Sequence, residues 1–163
     1  MQQDLNNLQN WAKKWSMQFN TSKCNVIFFG SNYAENLENV SYTLNGDRIE
    51  VVDSIKYLGV HIADNLKWNK HIDIILNKAY KVLGLIKSSL FNAPPKIKKV
   101  AYLTLCRPII EYASDVWDPF TKVKIHNIEM FQNKALRFIL NVKGRKSLTE
   151  VRDTLRLEKL ENR

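Results

Sequence analysis

Between positions 68 and 90 the chain sets Trp68, Ile72, Ile75, Ala79, Val82, Ile86 and Leu90 at steps of 4, 3, 4, 3, 4 and 4. No strand keeps that spacing on one face, whereas an α-helix does. A helix with one apolar stripe draws most of its stability from burying the stripe against other elements. The second part of the chain is therefore expected to be an all-helical bundle. Ala93-Pro94-Pro95 stops this first helix, and Pro95 suits the opening turn of the next. The run KIKKVAYLTLCRPIIEYASDVW then places Ile97, Ala101, Leu105, Ile109, Tyr112 and Val116 on one face. A kink is expected at Pro108 and an end at Asp118-Pro119. A third long helix is expected from about Val123 to Asn141, with Ile125, Ile128, Gln132, Ala135 and Ile139 aligned. Lys143-Gly144-Arg145-Lys146 reads as a basic turn. Ser147 and Glu150 read as the capping box of a last helix that stays periodic to Arg163.

The first part follows another period. Leu5, Leu8, Ala12, Trp15 and Phe19 form one face of an amphipathic helix with Asp4 in its first turn. After the polar turn Asn20-Thr21-Ser22, the run CNVIFFG reads as a short strand, apolar on both faces, and 31–39 as a polar loop. Asn45-Gly46 between two strand-like runs is a type I′ hairpin signal, because both central residues need positive φ. In SIKYLGVHI, Tyr57, Val60 and Ile62 favour a strand, and Gly59 suggests a bulge or a close backbone approach. The expected fold class is α+β. An N-terminal helix and a small antiparallel sheet (1–63) precede the helical region (64–163).

Charge divides the chain at the same place. Residues 1–63 hold five Lys/Arg and six Asp/Glu, a balance of −1, whereas residues 64–163 hold twenty and ten, a balance of +10. Either a polyanion such as nucleic acid or a solvated surface accounts for such a face. On the helix from Asp64-Asn65 onward, Lys67, Lys70, Lys78 and Lys81 fall within about 80° of one another, roughly a third of a turn from the apolar stripe. Trp68, Ile72, Tyr112 and Trp117 read as core.

Little else in the sequence points to self-contained chemistry. His61, His71 and His126 have no metal-ligand spacing and read as surface or satisfied core residues. Asp47 sits in a turn and Asp53 is isolated. No phosphate-binding glycine loop or nucleophile elbow occurs. Cys24 and Cys106 are far apart and read as two reduced, buried thiols. The start, MQQDLNNLQNW, lacks the pattern of a signal peptide, and no apolar run reaches the ~18–20 residues that cross a bilayer. The expected location is cytoplasmic or nuclear, not secreted, with no membrane partner. Oligomeric state is not legible.

The order of the motifs carries more than any one of them. A helix ending W-x-M-x-F-N-x-x-K-C is followed by a strand ending F-F-G and a hairpin at L-N-G. Then come V-x-S-I-K-Y-L-G-V-H-I, L-K-W-x-x-H-I, KAYKVLGLIKSS, CRPIIEYASDVWDP and IEMFQNKALRFI. Together they resemble the reverse transcriptase (RNA-directed DNA polymerase) of non-LTR, LINE-type, jockey-like retrotransposons, in the palm edge and thumb downstream of its catalytic F/Y-A-D-D motif. The resemblance implies a role for Lys23 beside the departing pyrophosphate; a solvated lysine at a strand entrance is the other reading. It implies a primer-grip hairpin at Lys56, Tyr57, Leu58 and Gly59, and thumb contacts to an RNA or RNA–DNA template–primer backbone from Lys67, Lys70, Lys78 and Lys81, without sequence preference. In the complete family enzyme Mg2+ is held by aspartates from motifs that would lie before Met1. No metal site or cofactor is expected in this chain, and alone it is expected to be inactive. Two alternatives stand beside this one: part of a complete polymerase whose catalytic region is not in the chain, and a helical protein-interaction module.

Overall fold

A computed structural model describes residues 1–30, 41–119, 121–142, 147–158 and 160. The chain forms two compact units, Met1–Lys67 and Trp68–Arg163, so the expected boundary at 63 moves by four residues. The polar loop at 31–39 and the basic turn Lys143–Lys146 lie outside the described residues.

Unit 1 opens with helix α1 (Gln2–Lys14). Its end is set by Ser16, whose left-handed φ of 54° lets Met17 N–H reach back to the Ala12 carbonyl at 2.9 Å. Because the helix stops there, the expected stripe is cut short. Ala12 is buried and Leu5 and Phe19 pack partly on the core, but Leu8 and Trp15 are exposed. Gln2 joins the helix to the strand pairs: its amide donates to the Thr43 carbonyl and accepts from the Thr43 N–H, both at 3.0 Å.

A single antiparallel sheet is not what the chain forms. Among the described residues three separate two-stranded ladders occur: β1 (Asn25–Val26) with β4 (Glu50–Val51), β2 (Thr43–Leu44) with β3 (Asp47–Arg48), and β5 (Ser54–Tyr57) with β6 (Val60–Ala63). The first is parallel. The Asn45-Gly46 turn, with φ of 55° and 89°, is the expected hairpin. Its arms are only two residues long, so Ile49 drops into the core and sends β4 alongside β1. Val26, Leu44 and Ile49 are the buried centre, with Tyr42, Phe28 and Val51 packed on it. The CNVIFFG run is thus not buried on both faces: Phe29 is exposed.

Unit 2 is helical: α2 (Asn69–Ser89), α3 (Pro95–Ala101), a π-helical turn (Tyr102–Cys106), α4 (Arg107–Glu111), α5 (Lys122–Ile139) and α6 (Leu148–Leu155). The α2 stripe buries Ile72, Ile75, Ala79 and Ile86 as expected, and adds His71, Leu76 and Leu83. His71 meets the buried Trp117 edge to face at 5.2 Å. Trp117 in turn donates its indole N–H to the Tyr112 carbonyl at 2.7 Å.

The segment after Pro95 departs from expectation by one residue. Lys98, Tyr102, Cys106 and Ile110 face the core, whereas Ile97, Leu105, Tyr112 and Val116 face solvent. Regular helix ends at Glu111, well before Asp118. Pro108 has no N–H for the Thr104 carbonyl, and the strain is taken up by the wide turn before it, where Arg107 N–H reaches Tyr102 O. Lys98 is fully buried; its ammonium donates to Asn141 Oδ1 at 2.7 Å and lies 4.7 Å above the Phe138 ring.

The last helix is held by polar contacts rather than by its own cap. Ser147 makes no side-chain cap bond, so the capping box is not formed. Arg152 pairs with Glu129 Oε2 at 2.6 Å and Asn133 Oδ1 at 2.9 Å, while Lys99 Nζ donates to Leu155 O at 2.7 Å. The helix ends at Leu155 with Arg156 left-handed (φ 49°), instead of running to Arg163. Both cysteines are free thiols; Cys106 is fully buried and Cys24 only half-buried.

Two measurements follow from this packing. Both partners of the Arg152–Glu129 pair are largely buried. Removing one strands the other, so Glu129→Met should destabilise by an amount near the low end of about 3–5 kcal/mol, because Asn133 still accepts from Arg152. The double change Glu129→Met with Arg152→Met should recover most of that loss in urea unfolding; equal losses in single and double variants would refute the pairing. Second, burial pushes the Cys106 thiol up from 9.0 to about 11. Burial likewise holds the Tyr102 phenol well above its ordinary value. In each case the unfolded chain loses its proton first. Stability should be constant up to about pH 9, then fall as pH rises towards 11. Cys106→Ala should remove the earliest part of that decline.

Candidate nucleic-acid interface

Lys23 ends a 3-10 turn (Thr21–Lys23) whose other side chains are tied down. Thr21 Oγ1 donates to Asp47 Oδ2 at 2.8 Å, and Ser22 Oγ to Asn20 Oδ1 at 2.6 Å. The Lys23 side chain is exposed and makes no ion pair among the described residues. The turn is anchored and its lysine is left to reach outward.

The hairpin β5–β6 pairs Lys56 with His61 and Tyr57 with Val60 across a two-residue turn, Leu58-Gly59. Gly59 is therefore a turn residue at φ 90°, and the register carries no bulge. Leu58 also sits left-handed, at φ 46°, which costs a side-chain-bearing residue about 1–2 kcal/mol. Leu58 is 74% exposed and Tyr57 62%. The tip thus offers two large apolar groups, with the exposed Lys56 beside them, to whatever lies outside.

On α2, Lys70, Lys78 and Lys81 are all exposed on one arc about 16 Å long. The helix has one carboxylate, Asp73, which lies off that arc and is paired with Lys124. Lys67 is exposed too, but it belongs to unit 1, with its backbone N–H held by Asn65 Oδ1 at 2.9 Å. Unit 2 carries the whole basic excess: nineteen Lys/Arg against nine Asp/Glu in residues 68–163. The sequence reading missed a second gathering of cations, Lys87, Lys98, Lys134 and Arg137. Lys98 lies off the apolar face that spacing suggests, and no local pattern announces that helices distant in sequence bring the other three to one groove.

This chain is similar to three curated proteins. Over 98% of its length it is 27% identical to the RNA-directed DNA polymerase from mobile element jockey of Drosophila melanogaster, covering 18% of that protein. Over 85% of its length it is 28% identical to the protein of the same description from Drosophila funebris, covering 15% of it. A probable RNA-directed DNA polymerase from transposon BS of Drosophila melanogaster is 23% identical over 85% of the chain. The similarity runs over most of this chain, and the relatives it reaches are jockey and BS retrotransposon RNA-directed DNA polymerases. It spans less than a fifth of the length of these relatives. No protein-family model matches the chain, and no solved structure matches it.

Mg2+ is the metal that the resemblance to these polymerases implies. Among the described residues no three His, Cys, Asp or Glu side chains gather where they could hold a metal ion. The described residues by themselves do not fit that ion. No helix among the described residues is long and apolar enough to cross a membrane.

The hairpin tip supplies its own test. Leu58→Asn would give the turn a residue that tolerates the left-handed region, so it should raise stability by up to about 1 kcal/mol. If Leu58 is kept for contact, the same variant should bind a template–primer more weakly than wild type. A variant that is no more stable in urea unfolding would contradict the strain assigned to Leu58.

Proposed function

We propose that this chain is the template–primer-holding part of a jockey-like reverse transcriptase, gripping the sugar–phosphate backbone without reading sequence. Residues 1–63 correspond on this reading to the palm edge and the helical unit to the thumb. The observation that carries it is the arc of Lys70, Lys78 and Lys81: three exposed ammonium groups on one face of α2, with the helix's one carboxylate off that face, in a unit with ten excess positive charges. Cations in such a row match a phosphate backbone and carry no base-specific information. Lys56, Tyr57, Leu58 and Gly59 would hold the primer end, Lys67 would add a phosphate contact, and Lys23 would face the pyrophosphate side of an incoming nucleotide. With no metal-holding cluster among its described residues, the chain by itself would bind but not polymerise. Its place of action would be the cytoplasm or the nucleus, where template RNA and target DNA are found.

Salt titration of binding to a blunt RNA–DNA duplex tests this reading. Log affinity should fall linearly with log salt, and the triple variant Lys70→Ala, Lys78→Ala, Lys81→Ala should lower the slope by about three, near one for each phosphate no longer neutralised. Affinity should not depend on duplex sequence. A flat salt response, or a triple variant with the wild-type slope, would dismiss the interface. Primer extension with Mg2+ should yield no product from the chain alone, and extension above background would show the inactivity reading to be wrong.

A further inference from the structure

A groove of about 750 Å³ opens in unit 2 between the end of α2 and the end of α5, on a different side of α2 from the lysine arc. Lys87, on its wall, lies about 140° around the helix from the middle of that arc. Among the described residues three cations line the groove, Lys87, Lys134 and Arg137, and no carboxylate does. The Phe138 ring carries two ammonium groups, Lys98 at 4.7 Å and Lys87 at 5.9 Å. Gathering like charges on one ring is unfavourable until an anion arrives, so the groove is electrostatically prepared for one.

Charge alone would suit any polyanion, but the rest of the lining is more selective. Phe91 stands at the mouth, 73% exposed, an aromatic face with little protein over it. Asn141, also in the lining, is held by two constraints. It is the left-handed residue that stops α5 (φ 53°), with Val142 N–H closing back on Arg137 O at 3.0 Å. Its Oδ1 accepts from the buried Lys98 ammonium. An ammonium offers only donors, so the oxygen must face it, and the amide NH2 is what Asn141 keeps for another partner. Duplex hides its base faces inside the stack, so an exposed aromatic ring and a fixed amide donor gain little from it. Both suit an unpaired base, with the cations on the adjoining phosphates.

We propose that this groove binds an unpaired nucleotide of single-stranded RNA or DNA, stacking its base on Phe91 and holding its phosphates with Lys87, Lys134 and Arg137. It shares with the proposed function only the class of ligand; the surface and the form of nucleic acid are different.

The test uses the full chain and three fluorescent probes: an oligothymidine strand, an abasic strand of equal length and a blunt RNA–DNA duplex. Phe91→Ala should weaken the thymidine strand by roughly fivefold to a hundredfold, the span of one base–aromatic stack, and leave the abasic strand and the duplex unchanged. Phe91→Leu keeps the apolar bulk without the π face and should give the same loss. Lys134→Gln should weaken both single strands and lower their salt slope by about one. A Phe91→Leu protein with wild-type circular dichroism and undiminished thymidine binding would overturn the proposal. So would equal losses on thymidine and abasic strands, or displacement of the thymidine strand by polyglutamate at matched charge, which would point to an acidic peptide. If the α2 lysine variants leave duplex binding untouched while Phe91 still controls single strands, this proposal stands and the template–primer reading falls.

Discussion

Pro108 has no amide hydrogen to give, and the helical unit is arranged around that deficit. In a regular helix its ring would press on the Thr104 carbonyl four residues back. The backbone instead widens through Tyr102–Cys106, and the Thr104 hydroxyl donates to the Val100 carbonyl at 2.9 Å within the same region. Steps of four overshoot an α-helical turn by about 40° each, and a wider turn absorbs the overshoot. Lys98, Tyr102, Cys106 and Ile110 can then stand in one line against α2 and α5. A lysine is thereby buried, and its ammonium is satisfied by an asparagine and a ring rather than by a carboxylate. That ammonium is tied to Asn141, the left-handed residue at the end of α5 that also lines the groove.

Much of the frame could be read from the residues. The Asn45-Gly46 hairpin follows from a steric demand that few other pairs meet. The α2 stripe follows from periodicity, and Ile128, Gln132, Ala135 and Ile139 lie buried on α5 as their spacing requires. What could not be read has physical causes too. The stripe after Pro95 is displaced by one residue because the wide turn resets the period, and no periodicity rule rewards placing Lys98 inside. Parallel pairing of β1 with β4 depends on residues a long way apart in the chain. Leu8 and Trp15 have the right spacing for a core face, but α1 stops before that face is complete.

The candidate interface was legible in part. Lys70, Lys78 and Lys81 emerge on one exposed arc, as helical geometry demands. Lys67 shares their angle only on paper, since α2 begins after it and it falls in the other unit. The hairpin at Lys56–Gly59 was implied by the resemblance, whereas its residues read as a strand with a bulge or close approach at Gly59, and nothing local marks Leu58 as left-handed. The groove was not legible at all: its walls come from α2, α5 and the turns that follow them. Cations on this protein therefore divide into exposed groups set by helix period and recessed groups set by tertiary packing.

Among the described residues four helices are followed within two positions by a left-handed residue, and none of the four is glycine: Ser16, Ala113, Asn141 and Arg156 fill those places. Asn141 also belongs to the groove, so its identity answers to two demands. Ser16 and Arg156 belong to neither the lysine arc nor the groove, and for them the strained backbone is an unused reserve. Glycine at Ser16 would relax the helix end and leave every cation where it is; at Arg156 it would do the same at the loss of one cation that belongs to neither surface. The fold thus contains its own adjustment points, through which its robustness can be tuned separately from the surfaces that meet a ligand.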